Sequence, residues 1–182
     1  MKRLLICAAV LIATTLTLSA QKKAPASPPE TATATIAGKT ITINYSSPRV
    51  KGREGHIFNK GGLIQTTHKE YPVWRAGANA ATTLKTDAEL KIGNLVVPAG
   101  TYTLFVDITN PDKWVLIVSK KTGEWGLAYD PTQDLGRVKM KMTKPLSMVE
   151  DLKYTITDLG GTTAKITLEW ENHSASVLVA VH

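Results

Sequence analysis

Residues 101–119 read TYTLFVDITNPDKWVLIVS, and this stretch decides the fold class. Its first run, TYTLFVDI (101–108), has a period of two residues and is predicted to place four side chains on one face: Tyr102, Leu104, Val106 and Ile108. After Thr109, the residues Asn110–Asp112 favour a turn. The run KWVLIVS (113–119) then returns the chain. Two alternating runs on either side of a turn predict an antiparallel β-hairpin.

Similar runs recur along most of the chain. TATATIAGKTITINY (31–45) predicts a hairpin around Ala37–Lys39, and GRVKMKM (136–142) is predicted to turn Val138, Met140 and Met142 inward. Further runs are TTLKT (82–86), AELKIGNLVV (88–97), LKYTITDL (152–159), AKITLEWE (164–171) and SASVLVAV (174–181). Nine to eleven short strands predict an all-β fold, either an antiparallel sandwich or an open barrel. No stretch predicts a helix of three turns.

The N-terminus has the pattern of a secretory signal peptide. Lys2 and Arg3 precede an apolar run, and small residues follow at Ser19 and Ala20. We therefore expect a signal peptide at 1–20, a Pro- and Ala-rich flexible linker at 21–30, and a single β domain at 31–182. A transmembrane anchor is the alternative, but the apolar run is short and interrupted by threonines. The expected location is periplasmic or extracellular, with no membrane-spanning segment after cleavage.

Cysteine and histidine usage limits the chemistry of the mature chain. The one cysteine, Cys7, lies in the predicted signal peptide, so disulfides, cysteine nucleophiles and zinc–thiolate sites are excluded. The four histidines lack the short spacings of metal ligands: His56, His68, His173 and His182. We therefore predict no metal site and no cofactor.

The net charge favours an anionic partner. Removal of Lys2 and Arg3 lowers the formal charge from +7 to +5, which suits phosphate, lipid headgroups or acidic glycans. A solvated basic surface is the alternative. No nucleic-acid-binding motif is present, and export would remove nucleic acid as a target, so none is predicted as a partner. The oligomeric state is left open.

Residues 46–69, SSPRVKGREGHIFNKGGLIQTTHK, form the longest stretch without alternation. Five cations lie in it: Arg49, Lys51, Arg53, Lys60 and Lys69. Long loops in compact β domains are often functional, and arginine pairs well with carboxylates and phosphates. The loop is therefore a candidate anion-binding rim, with a solvated basic loop as the alternative.

The stretch YPVWRAGANAATT (71–83) interrupts the strands with small residues. Trp74 beside Arg75 is a pairing typical of recognition surfaces, Gly77 permits close approach of a ligand, and Asn79 both donates and accepts hydrogen bonds. Alternatively, Arg75 and Asn79 satisfy carbonyl groups at a corner while Trp74 fills the core. The predicted ligand-binding set is Arg49, Lys51, Arg53, Trp74, Arg75 and Asn79.

Catalytic motifs are weak. No Gly-x-Ser-x-Gly elbow is present, and turn chemistry explains most neighbouring carboxylates, which are Asp107 with Asp112, Asp130 with Asp134, and Glu150 with Asp151. A glycosidase pair formed by residues distant in the chain stays open. No catalytic residue is assigned.

Seven motifs in order carry a family resemblance: SSPRVKGRE (46–54), IF (57–58), VWRAGANAATT (73–83), VPAGTYTLF (97–105), WVLIVS (114–119), EWG (124–126) and LEWEN (168–172). Together they resemble a family of exported bacterial proteins catalogued as Domain of Unknown Function 2911, over about residues 31–181. The resemblance implies one secreted β-sandwich-like domain of uncharacterised activity, without an established cofactor. The residues that match are Arg49, Lys51, Gly52, Arg53, Trp74, Arg75, Gly77 and Asn79.

Two departures from the family pattern limit what it implies. Ala80 stands where an acidic residue is frequent, which argues against a general acid or base at that point. The segment between Phe58 and Tyr71 is longer than usual and contains His68, so no role for His68 follows from the resemblance. Three functions are carried forward: a non-catalytic binding or envelope-associated module for a small anion or glycan, a glycan hydrolase, and a purely structural envelope protein.

Overall fold

A computed structural model describes residues 25–123 and 125–182, and the predicted signal peptide lies outside them. The strands are β1 (Pro29–Ile36), β2 (Lys39–Ser46), β3 (Val73–Trp74), β4 (Thr82–Thr86), β5 (Leu90–Ile92), β6 (Leu95–Val97), β7 (Gly100–Asp107), β8 (Val115–Ser119), β9 (Asp134–Lys139), β10 (Lys141–Thr143), β11 (Val149–Gly160), β12 (Thr163–Glu171) and β13 (His173–Val181). One short helix, α1 (Leu63–Thr67), and a 3-10 turn at Pro131–Gln133 complete the regular structure of the described residues.

The strands form two antiparallel sheets that face each other across the core. The first sheet has the order β1-β2-β4-β7-β8-β9, with β3 beside β7, and the second has the order β11-β12-β13-β5-β6, with β10 beside β13. The all-β prediction is confirmed, and the arrangement is sandwich-like. The thirteen strands exceed the predicted nine to eleven because several pairings involve only two or three residues, as in β3, β5, β6 and β10.

The hairpin at 101–119 is confirmed as β7 and β8, which pair from Thr103 with Ser119 to Asp107 with Val115. Its burial differs from simple alternation, because Thr103 and Phe105 on the opposite face are buried as well. The segment after β8 covers that face: the Tyr129 ring lies 5.1 Å from that of Phe105, and Thr103 Oγ1 donates to the Lys121 carbonyl at 2.6 Å.

The run at 136–142 contributes to both sheets. Its first residues belong to β9 of the first sheet, its last residues belong to β10 of the second, and Met140 lies between the two strands. Met140 is buried, and its amide donates to the Trp114 carbonyl at 2.9 Å. The neighbouring Val138 and Met142 pack partly buried against the core, so the predicted inward face is confirmed.

An aromatic cluster closes one end of the sandwich. Trp74 on β3 and Trp170 on β12 come from opposite sheets and stack with ring centroids 5.9 Å apart. Phe58, from the long loop, meets both rings nearly edge-on, at 5.4 Å and 5.6 Å. The loop before β3 is therefore anchored at the junction of the two sheets.

Backbone bonds fasten the start of that loop to β11. The amide of Val50 donates to the Glu150 carbonyl at 2.9 Å, and the amide of Leu152 donates to the Pro48 carbonyl at 3.0 Å. The Ser47 hydroxyl adds a buried bond to the Leu152 carbonyl at 2.7 Å. Across the described ranges, no helix has the length and apolar character needed to span a membrane.

Candidate functional site

A cavity of about 270 Å³ lies under the long loop, beside the aromatic cluster. Its walls come from the segment before β1, the loop, α1, the β3–β4 connection and β12. Four cations line it: Arg49, Lys51, Arg53 and Arg75. The described residues that line it include no carboxylate, so the lining itself carries positive charge. This volume suits a small oxyanion or part of a sugar, and we call it the cationic cavity.

The loop cations are held by neighbouring groups. Arg49 forms an ion pair with Asp151, Nε to Oδ1 at 2.9 Å, and Arg53 donates to the carbonyls of Val50 and Arg49 at 2.9 Å and 2.6 Å. The amide of Lys51 donates to Glu150 Oε1 at 2.9 Å, while its side chain is exposed. These bonds fix the backbone that carries the cations at the cavity mouth.

Arg75 reaches the cavity from an irregular, tightly packed connection. Ala76 and Asn79 have positive φ angles of 51° and 55°, and a Cβ at Gly77 would lie 2.8 Å from Thr82 Oγ1. Arg75 Nη1 donates to the Asn79 carbonyl at 2.8 Å, but the buried Arg75 Nε has no hydrogen-bond partner. Burial lowers the pKa of the guanidinium below its usual value. The side chain is thus only partly satisfied by the protein.

Trp74 and Asn79 do not line the cationic cavity. Trp74 is fully buried in the aromatic cluster, and its Nε1 donates to the Gly77 carbonyl at 3.2 Å. Asn79 is exposed beside the cavity, and its Nδ2 donates to the Ser27 carbonyl at 3.2 Å. Both side chains therefore act on the cavity through the backbone that forms its walls.

His68 also lines the cavity and was given no role by the sequence. It follows α1 directly, where its Nδ1 lies 3.1 Å from the Ile64 carbonyl and 3.0 Å from Thr67 Oγ1. The residue is 7% exposed, and Nε2 has no partner. Burial, together with the nearby positive charge of Arg75, lowers the pKa of His68 to about 4.

Unpartnered polar atoms concentrate around this cavity. Five buried side-chain atoms in the described residues lack a hydrogen-bond partner, and three of them belong to residues that line it: His68 Nε2, Arg75 Nε and Trp170 Nε1. Buried polar groups in proteins are nearly always paired. Each of these atoms therefore calls for a partner such as a water molecule or an ion.

A second cavity, of about 440 Å³, is lined in part by Phe58. Glu171 and His173 line it, with Oε2 of the carboxylate 3.3 Å from Nδ1 of the imidazole. Glu171 is buried, has a φ of 55°, and accepts from the Gly55 amide at 2.6 Å through Oε1. Burial lowers the pKa of His173, and Glu171 opposes that shift. Neither residue was assigned a role from the sequence, where the one available signal was the position of Glu171 in the two-residue turn between β12 and β13.

A comparison with known protein families identifies the family of this chain. A model of the family described as "Protein of unknown function (DUF2911)" matches residues 27–179. The chain belongs to the DUF2911 family. Searches of curated proteins and of solved structures returned no match. The matched range of the DUF2911 protein includes all four cavity cations, His68 and Trp170.

Three of the neighbouring carboxylates noted in the sequence of this DUF2911 protein have structural partners. Oδ2 of Asp107 lies 3.7 Å from Arg137 Nη1, and Oδ2 of Asp134 lies 2.9 Å from Arg137 Nε. Asp130 Oδ1 accepts from the Thr132 amide at the start of the 3-10 turn. Within residues 25–123 and 125–182, no group of three or more His, Cys, Asp or Glu residues is arranged to hold a metal ion.

Proposed function

We propose that this DUF2911 protein binds a small anion, either free or as the acidic group of a glycan, in the cationic cavity. The observation that carries the proposal is the buried, unpartnered Nε of Arg75 beside three further cations. An unpaired buried donor costs about 1–3 kcal/mol. An anion that accepts from this group recovers that cost and gains a charge-assisted bond.

The surrounding groups favour an oxyanion over a neutral ligand. The planar guanidinium of Arg75 matches the geometry of a carboxylate or a phosphate, and the indole N–H of Trp170 is a second donor without a partner. Arg49, Lys51 and Arg53 line the same cavity and attract anions from solution. The ion pair of Arg49 with Asp151 reduces the positive electrostatic potential of the cavity but does not cancel it.

The test is a titration of the full mature chain with phosphate, sulfate and glucuronate, followed by NMR at the Arg75 and Trp170 side-chain N–H groups. We expect saturable shifts at both groups for at least one anion. Arg75→Ala should abolish saturation. Lys85→Ala, which removes an equal charge from an exposed position on β4, should bind normally.

Two outcomes would reject anion binding. One is the absence of a saturable shift with any of the three anions. The other is equal loss in Arg75→Ala and Lys85→Ala, which would indicate only general attraction by net charge. If Arg75→Ala also lowers Tm by several degrees while the wild type binds nothing, the purely structural role of Arg75 is the better account.

The second cavity favours a hydrolase as the alternative function. Glu171 is the one buried carboxylate among the described residues, and its Oε2 lies 3.3 Å from Nδ1 of His173, an imidazole that lines the same cavity. A neutral imidazole beside a carboxylate is suited to accept a proton from an attacking water. Release of reducing ends from acidic polysaccharides, lost in both Glu171→Gln and His173→Asn, would support this activity. Turnover that survives both changes would reject it.

We also propose that the chain is exported and associated with the cell envelope. The charged start, the apolar run and the small residues at Ser19 and Ala20 support this location. Mass spectrometry of the protein from a secreting host should give a mature chain that begins at Gln21. A chain that retains Met1 in the cytoplasmic fraction would reject the proposal.

A further inference from the structure

His68 adds an unpartnered acceptor to a cavity whose other unpartnered side-chain atoms are donors. Its ring nitrogen Nδ1 lies 3.1 Å from the Ile64 carbonyl, and a carbonyl oxygen only accepts. Thr67 Oγ1, 3.0 Å from Nδ1, has one proton and lies 2.7 Å from the Leu63 carbonyl. The hydrogen-bond network therefore places the His68 proton on Nδ1 and leaves a lone pair on Nε2.

The lone pair on Nε2 is buried and unpaired. His68 is 7% exposed and lines the cationic cavity, and Nε2 has no partner. The other unpartnered atoms in the walls, Arg75 Nε and Trp170 Nε1, are both donors. Among the residues that line the cavity, the unpartnered side-chain atoms are thus two N–H donors and one acceptor, and a fully deprotonated oxyanion bound there would leave the acceptor unpaired and close to negative charge.

We infer that the ligand of this cavity is an anion that carries its own hydroxyl donor, with its oxygens toward Arg75 and Trp170 and its O–H toward His68 Nε2. This inference rests on the proposed anion-binding function and narrows the ligand class. Hydrogen phosphate and phosphate monoesters meet the requirement through a P–OH group. Hydroxy acids and uronic acids meet it through an alcohol near the carboxylate.

The test compares anions of similar shape with and without a hydroxyl. Phosphate is compared with sulfate, and glycolate with acetate, by isothermal titration of the mature chain at neutral pH and constant ionic strength. Because a site with a buried acceptor discriminates against a ligand that cannot pair with it, we expect the hydroxyl-bearing member of at least one pair to bind roughly tenfold tighter or more. The pair that shows the preference distinguishes a phosphate ligand from a hydroxy acid.

His68→Gln is the matched variant. The glutamine amide offers a donor as well as an acceptor and can turn its NH2 toward a bare oxyanion. We expect sulfate or acetate to bind more tightly to this variant than to the wild type, so that the selectivity ratio falls toward one. A gain of binding is not an effect that misfolding produces. His56→Gln, an exposed histidine of the same loop, should keep the wild-type ratio.

The outcomes separate this inference from the function on which it rests. If both members of each pair bind the wild type equally, the hydroxyl requirement is wrong while anion binding stands. If the wild type is selective and His68→Gln is equally selective, His68 is not the discriminating acceptor. If no anion binds, the proposed function fails and the ligand class fails with it.

Discussion

At the scale of single residues, the cationic cavity combines side chains whose hydrogen-bonding capacity is used by the protein to different extents. Arg49 and Arg53 are held by an ion pair and by loop carbonyls, whereas Arg75 and His68 each retain a buried nitrogen without a partner. The first pair is largely satisfied by the protein and shapes the cavity mouth. The second pair has hydrogen-bonding capacity left for a ligand, so changes at Arg75 and His68 should affect binding most.

The neutral state of His68 predicts acid sensitivity. Its pKa is about 4 in the folded protein against an ordinary 6.5, so between these values the unfolded chain binds more protons and stability falls as pH falls. Above pH 6.5 the full stability is present, and the loss below pH 4 amounts to about 3 kcal/mol. Urea unfolding at pH 7 and at pH 4.5, in buffer without phosphate, should show most of this loss, about 2 kcal/mol.

His68→Gln should reduce the pH dependence, and His56→Gln should keep it. Part of the dependence will persist in His68→Gln, because burial also lowers the pKa of His173, which acts with the same sign. An unchanged pH dependence in His68→Gln would mean that His68 is protonated in the folded protein, or is not buried as described.

Glycine is needed at position 77 because the neighbouring atoms leave no room for a Cβ, and not because of the backbone conformation. A Cβ there would lie 2.8 Å from Thr82 Oγ1 and 3.2 Å from the Ser46 carbonyl, and Thr82 is itself fixed by a bond to the Ala76 carbonyl. Gly77→Ala should therefore destabilise the fold by about 1–3 kcal/mol, measured by urea unfolding. Gly136→Ala is the comparison, since the three atoms nearest its new Cβ all belong to the side chain of Leu95, which can move, and none belongs to the backbone. Equal effects would contradict this account.

At the scale of elements, the β1–β2 turn offers a stabilising change. Ala37 and Gly38 have φ angles of 49° and 77°, the pattern of a type I′ turn, and Ile36 pairs with Lys39 across it. Alanine is strained in this region, whereas asparagine tolerates it. Ala37→Asn should raise the unfolding free energy by about 0.5–1 kcal/mol. Ala37→Val should lower it, and the opposite order in thermal melts would contradict the turn assignment.

Elements could be predicted from the sequence where local pattern determines them. The hairpins β1–β2 and β7–β8 follow from alternation and turn residues that are adjacent in the chain. The pairing of β2 with β4 and of β13 with β5 joins segments far apart, so no local pattern specifies it. The run at 88–97 also divides into two strands at Gly93, whose φ of 59° forms the turn.

The candidate site could be predicted in part for the same reason. Arg49, Lys51, Arg53 and Arg75 stand out as cations in segments without alternation, and they line one cavity. His68 and Trp170 do not stand out. His68 reaches the cavity only because α1 turns the chain, and Trp170 reads as an ordinary inward residue of β12. Trp74 attracts attention by its neighbour Arg75, yet it belongs to the core.

At the scale of the whole molecule, the cavity joins the two sheets. Arg75 follows β3 of the first sheet, and Trp170 belongs to β12 of the second. The long loop at residues 46–69, which also lines the cavity, is bonded to β11. A ligand that contacts Arg75 and Trp170 together therefore opposes separation of the sheets. Because it binds the folded state alone, its binding energy adds to the global stability.

This geometry predicts that a binding anion raises the melting temperature of the entire domain. At a concentration of one hundred times Kd the gain is about 2.7 kcal/mol, which corresponds to a rise in Tm of roughly 5–10 °C. Phosphate is the first anion to test, with sulfate at equal ionic strength as the control for general salt effects. Arg75→Ala should show the same small shift with both anions, whereas Lys85→Ala should respond as the wild type does. Amide exchange should slow in both sheets on binding. Protection confined to the loop would mean that the anion sits at the mouth without linking Arg75 to Trp170.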